Sequence, residues 1–172
     1  LSSLGIQQDS TFVVYDEGNL LNAARIFYAL EYYGFYNKVK ILSGGINAWI
    51  KEGFQVTTEI AVNEKSVVAV KDNPLLISTK QQIEEKLDSA DYMVIDARSK
   101  EEYEGIDKRQ NKHGGHIPNA VHLNWTDNFT IGEDGLPSLL SYEELKEKYE
   151  SIGVVQSKTV IPYCQTNVRG SN

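Results

Sequence analysis

The chain has one cysteine, one methionine, three histidines and four prolines in 172 residues. A single cysteine excludes an internal disulfide and any cysteine-rich zinc site. His113, His116 and His122 lack a metal-ligand spacing, so no metal and no other cofactor is expected. Positive charge is in deficit: 17 Lys and Arg face 24 Asp and Glu, for a net charge of −7. That sign disfavours nucleic acid as a partner. An anionic ligand would need a local basic site set against this field. No apolar run approaches the roughly 20 residues of a membrane span, so no membrane partner is expected. Residues 1–15 show neither the basic start nor the apolar centre of a signal peptide. With its lone thiol, the chain fits a reducing, cytoplasmic setting.

The pattern that is present alternates strands and helices. Thr11–Tyr15 is β-branched and aromatic, a buried strand. Leu21–Tyr33 places Ala23, Phe27 and Leu30 on one helical face, with Gly34 as the stop. Lys38–Leu42 is a second strand, and Ile46, Trp49 and Ile50 mark a short helix ending at Gly53. From Gln55 to Asn73 the periodicity weakens, except for a strand expected at Val67–Val70. Ser78 and Gln81 read as a capping box, ahead of a helix burying Ile83 and Leu87. A strand at Tyr92–Ile95 runs into Asp96-Ala-Arg98, and a helical turn is expected from Glu101 to Gly105. Lys108–His113 is a basic loop, Ala120–Leu123 a strand, and Ile131–Pro137 a long loop. Ser141 and Glu144 form another capping box, and Thr159–Tyr163 is the last strand. Strands alternating with helices imply an α/β fold with a parallel sheet.

The last strand ends at Cys164, followed by Gln165, Thr166, Asn167, Val168 and Arg169. This reads as a strand, a tight loop and the start of a helix. Successive backbone N–H groups of such a loop can form an anion-binding concavity. A cysteine at its mouth is a candidate nucleophile; the bland alternative is an inert cysteine at a strand end. Arg169 in a first helical turn is unfavourable against the helix dipole, which argues for a functional use. Lys108, Arg109 and Lys112 are most simply a solvated loop. The segment Ser3–Asp16 also lies over Ser151–Cys164 without a gap, with serine, glycine, glutamine, threonine and tyrosine in register. Such a match marks a duplicated unit, and Asp16 stands where the second copy has Cys164.

Five stretches together resemble the rhodanese family, specifically its two-domain sulfurtransferases: Val13–Gly18, Val39–Trp49, Val94–Arg98, Gly115–Ala120 and Tyr163–Arg169. The resemblance implies a rhodanese-like parallel sheet flanked by helices, built from the second half of one repeat and the first half of the next. Residues 1–58 would be the latter half of a silent repeat, 59–74 a linker, and 75–172 the first part of the cysteine-bearing repeat. A complete enzyme would then carry a half-domain before Leu1 and a helix–strand–helix segment after Asn172. The two half-repeats are expected to complement each other in one permuted domain or in a homodimer formed by domain exchange. Weak or absent turnover is expected of the chain alone.

The resemblance further implies a sulfurtransferase. Cys164 would take the outer sulfur of thiosulfate or 3-mercaptopyruvate as a persulfide and pass it to a thiol or cyanide. The backbone of Gln165, Thr166, Asn167 and Val168 would hold the anionic sulfur, and Arg169 the donor anion. Arg98 is expected either to bind that anion or to form a structural ion pair. Asp96 is expected as a hydrogen-bond partner, and His116 as a structural side chain bonded to nearby backbone. Asn167 stands where the family usually has glycine, and asparagine best replaces it at positive φ. Two other readings are a non-catalytic rhodanese-like module and a cysteine phosphatase. The phosphatase loop needs five residues between cysteine and arginine, where this chain has only Gln165 to Val168.

Overall fold

The computed structural model describes residues 1–133 and 135–172. The chain divides into two compact units, Leu1–Ile77 and Ser78–Asn172.

In the first unit, β1 (Phe12–Val14) pairs in parallel with β2 (Val39–Ile41), joined by α1 (Leu21–Tyr32) and followed by α2 (Gly45–Lys51). The core is Leu30, Phe35 and Val39, with Phe12, Val14, Phe27 and Val68 packed on it. The Phe12 and Phe35 rings meet edge to face, 4.9 Å apart. The strand expected at Val67–Val70 does not form, and Val67 is 98% exposed. Its β-branched run has the composition of a strand but no strand beside it. The segment bonds instead to loop groups and to the end of α1: Ser66 N–H to Ser2 O, and Asn73 N–H to Tyr32 O at 2.8 Å.

The second unit opens with α3 (Lys80–Lys86) and β3 (Tyr92–Asp96), then α4 (Lys100–Tyr103) and β4 (Val121–His122). β5 (Phe129–Ile131), β6 (Pro137–Leu139), α5 (Tyr142–Ser151) and β7 (Thr159–Tyr163) complete it. The sheet order is β4-β3-β7, all parallel, with Asp96 opposite both His122 and Tyr163. Pro162 interrupts donation in β7, which a strand at the margin of this sheet tolerates. The capping box of α3 uses Thr79 and Gln82, one residue later than expected. Gln81 is engaged instead with Glu85, one helical turn on, at 3.0 Å. The stretch expected as a long loop contains an antiparallel pair, Phe129↔Leu139 to Ile131↔Pro137; Asp134 of that stretch lies outside the described residues. Among the described residues no helix is long and apolar enough to cross a membrane.

Between α4 and β4 the chain makes a wide excursion, Ile106–His113, whose two ends meet at a pair of glycines. A Cβ on Gly114 would lie 2.6 Å from Gly105 O, and one on Gly105 2.9 Å from Gly115 N. Gly114→Ala is therefore expected to cost about 1–3 kcal/mol by overpacking backbone against backbone. Urea unfolding measures it, and an unchanged midpoint would refute the close approach.

Candidate active site

Parallel pairing brings the C-terminal ends of β3 and β7 side by side, as at the ligand face of open α/β sheets. Asp96 ends β3 and is 0% exposed. Its carboxylate accepts from Arg98 N–H at 3.0 Å, from Arg98 Nε at 2.9 Å and Nη2 at 2.6 Å, and from the Tyr163 hydroxyl at 2.5 Å. Burial pushes this carboxyl up, but the bonds from Arg98 and Tyr163 outweigh it and hold it below the ordinary range. Burial, then the bond to Asp96, raises the Tyr163 phenol to about 12. That phenol also accepts from Ile117 N–H at 3.1 Å. Arg98 is 8% exposed, donates to Gly115 O at 2.8 Å and lies over the Tyr163 ring. Its guanidinium thus braces the end of β7 from behind; among the described residues no bond joins it to residues 164–169.

His116 is exposed, stacks on Tyr103 at 3.7 Å and donates from Nδ1 to Tyr103 O at 2.7 Å. Its ring fastens the Gly-His-Ile-Pro turn to α4. No group of three or more His, Cys, Asp or Glu able to hold a metal occurs among the described residues.

Cys164 follows β7 directly and is partly exposed. Asn167 has φ 58, the left-handed conformation that lets the loop turn under the cysteine. Gly170 is buried against the loop, and a Cβ there would stand 3.2 Å from the Tyr163 carbonyl carbon. The N–H groups of Gln165, Thr166, Asn167 and Val168 make no backbone hydrogen bond among the described residues. A short 3-10 turn, Arg169–Ser171, closes the loop.

The loop after β1 in the first unit has backbone donors of this kind engaged. The buried Asp16 carboxylate accepts from Gly18 N–H at 2.8 Å, Leu20 at 3.2 Å, and Asn22 and Ala23 at 3.1 Å each. A single side-chain anion just past the end of β1 thus gathers four backbone donors. The loops are not identical: the left-handed residue beyond glycine is Leu20, four after Asp16, against Asn167, three after Cys164.

Sequence reasoning missed the carboxylate that faces the cysteine loop. Glu102 is 1% exposed. It accepts from Arg169 Nη1 at 2.6 Å and Nη2 at 3.0 Å, a two-point pairing. Arg109 approaches the same carboxylate at 3.5 Å and Asp107 at 3.0 Å. Glu102 also caps α4 with Ser99. The bond from Arg169 is the largest cause holding its carboxyl down, at about 2. Arg169 is raised in turn, first by Glu102 and to a lesser degree by the neighbouring Cys164. Asn111 and Gln165 exchange amide hydrogen bonds of 2.9 and 2.8 Å, joining the basic loop to the cysteine loop. The Ser99-x-x-Glu102 spacing was a legible capping signal, but a cap residue is ordinarily solvated, and nothing in the pattern marks this one as buried.

The rhodanese-like domain family model matches residues 1–52 and 79–172, and the chain belongs to that family. It is 32% identical to the thiosulfate sulfurtransferase of Bos taurus over 173 residues, covering 98% of this chain and 57% of that protein. It is 31% identical to the thiosulfate sulfurtransferase of Pseudomonas aeruginosa, covering 96% and 59%. The crystal structure of the Escherichia coli protein SseA, described with the rhodanese fold of 3-mercaptopyruvate sulfotransferases, superposes with a TM-score of 0.78 at 27% identity, covering 98% and 62%. The chain thus spans less than two thirds of the length of these relatives.

Proposed function

We propose that this chain is the sulfur-carrying part of a sulfurtransferase, with Cys164 as the carrier. The observation that carries the reading is the loop itself: a partly exposed thiol at the end of a parallel strand, followed by backbone donors without a backbone partner. The Asp16 loop supports it, because there the same chain design concentrates backbone donors on one anion. The thiolate of Cys164 attacks the outer sulfur of the donor; with thiosulfate, the S–S bond breaks and sulfite leaves with its electron pair. The resulting persulfide anion is held by the loop N–H groups. Cyanide or an acceptor thiolate then attacks that outer sulfur and frees the Cys164 thiolate, with thiocyanate as the product for cyanide. Arg98 acts here as the brace behind Tyr163, and Arg169 as the cation nearest the sulfur. A phosphatase is disfavoured, since only Gln165 to Val168 separate Cys164 from Arg169 and the Arg169 charge is matched by Glu102.

Intact mass after exposure to a sulfane donor tests the proposal. The expected result is a gain of one sulfur atom on the chain, reversed by cyanide and absent in Cys164→Ser. No gain on the unaltered chain would leave a non-catalytic module as the better reading.

A further inference from the structure

Each guanidinium around the cysteine loop already has a carboxylate. Arg98 is matched to Asp96, Arg169 to Glu102, and Arg109 to both Glu102 and Asp107. Arg109 has a side chain 56% exposed, whereas the Glu102 side chain is sealed from water. Lys108 and Lys112 are exposed, and solvent screens them. Beside Cys164 the mouth carries a neutral pair of amides, Asn111 and Gln165. A site for a dianion with a doubly charged leaving group would instead present an uncommitted cation there.

We infer that Glu102 is a specificity-determining residue: by holding Arg169 it turns the site away from dianionic donors such as thiosulfate and toward an organic persulfide, R–S–SH, of one negative charge at most. This rests on the sulfur-transfer reading above. The Cys164 thiolate attacks the outer sulfur, the donor S–S bond breaks, and the thiolate RS⁻ leaves with the electron pair. The proton stays on the transferred sulfur, giving Cys164–S–SH, and no oxidant or reductant is consumed. A leaving thiolate spreads one charge over a large, weakly hydrated sulfur, so backbone donors suffice. Sulfite leaves as a compact dianion, and the Arg169 charge it would draw on is already offset by a buried two-point pair with Glu102. The chain's net charge of −7 works against the dianion as well.

The experiment compares loading of Cys164 by thiosulfate and by the persulfide of 2-mercaptoethanol, followed by intact mass in the 172-residue chain and in Glu102→Gln. Glutamine keeps a side chain able to cap α4 while removing the charge that restrains Arg169. Glu102→Gln is expected to raise the thiosulfate rate relative to the persulfide rate by about tenfold, chiefly through a lower KM. Glu102→Asp, retaining the charge, should leave the ratio near that of the unaltered chain. Unaltered protein gives an independent reading: its thiosulfate rate should rise with added salt, as repulsion is screened. A ratio unmoved by Glu102→Gln, or a thiosulfate rate that falls with salt, overturns the inference and leaves sulfur transfer standing. If Glu102→Gln does not fold, the salt dependence decides alone. If neither donor loads Cys164, both readings fall.

Discussion

Asp96→Ala is expected to remove about 3–5 kcal/mol from the second unit, the usual cost of leaving half of a buried ion pair behind. The carboxylate is fully buried and joined to Arg98 at two side-chain nitrogens and one backbone nitrogen. Alanine leaves the Arg98 guanidinium, 8% exposed, with one carbonyl, Gly115 O, and an aromatic face. It also frees the Tyr163 hydroxyl, which then accepts from Ile117 N–H but has no acceptor for its own proton. A double variant, Asp96→Ala with Arg98→Met, separates the terms: removing both charges should recover much of the loss, because the stranded cation is its largest part. Urea unfolding of Asp96→Ala, Arg98→Met and the double variant measures the coupling. A loss under about 1 kcal/mol for Asp96→Ala would put this pair among ordinary surface ion pairs.

Elements with a long, one-sided pattern were legible before the structure. β3 and β7 read as apolar runs bounded by polar residues, and α5 announced itself through Ser141 and Glu144. The hairpin of β5 and β6 was not legible. Its strands are three residues each, and Thr130, Ile131, Ser138 and Leu139 are all exposed, so no inward face stamps a period of two on the sequence. Val67–Val70 failed in the opposite sense, since composition alone cannot supply a neighbouring strand. At the site, Cys164 and its loop were visible because a strand end, a turn and a following arginine are all local features. The partners were not. In sequence Arg98 reads either as an anion ligand or as half of an ion pair, and Arg169 as an anion ligand; each meets a buried carboxylate. Which carboxylate meets which arginine depends on how strands and turns pack. Arg169 opens a three-residue 3-10 turn rather than a full helix, and Glu102 is the partner that holds it there.

Glu102 also makes the second unit acid-sensitive in a definite direction. Its folded-state pKa is lowered from 4.5 to about 2. A depressed carboxyl contributes stability that is fully present above its unfolded value and is lost as pH falls toward the folded one. The window is therefore pH 4.5 down to about 2, and the contribution at stake is on the order of 3 kcal/mol. Asp96 is shifted the same way, so its loss adds in the same direction. Unfolding free energy should drop steeply through this range, and Glu102→Gln should be less stable at neutral pH yet show a flatter acid limb. Because Glu102 anchors both the start of α4 and Arg169, protonation should loosen the cysteine loop before the sheet gives way. Amide exchange of Gln165–Gly170 is the readout: it should accelerate at a pH where β3 is still protected. If loop and sheet lose protection together at every pH, Glu102 is only one more contributor to a single cooperative transition, and the separate hold on Arg169 is refuted.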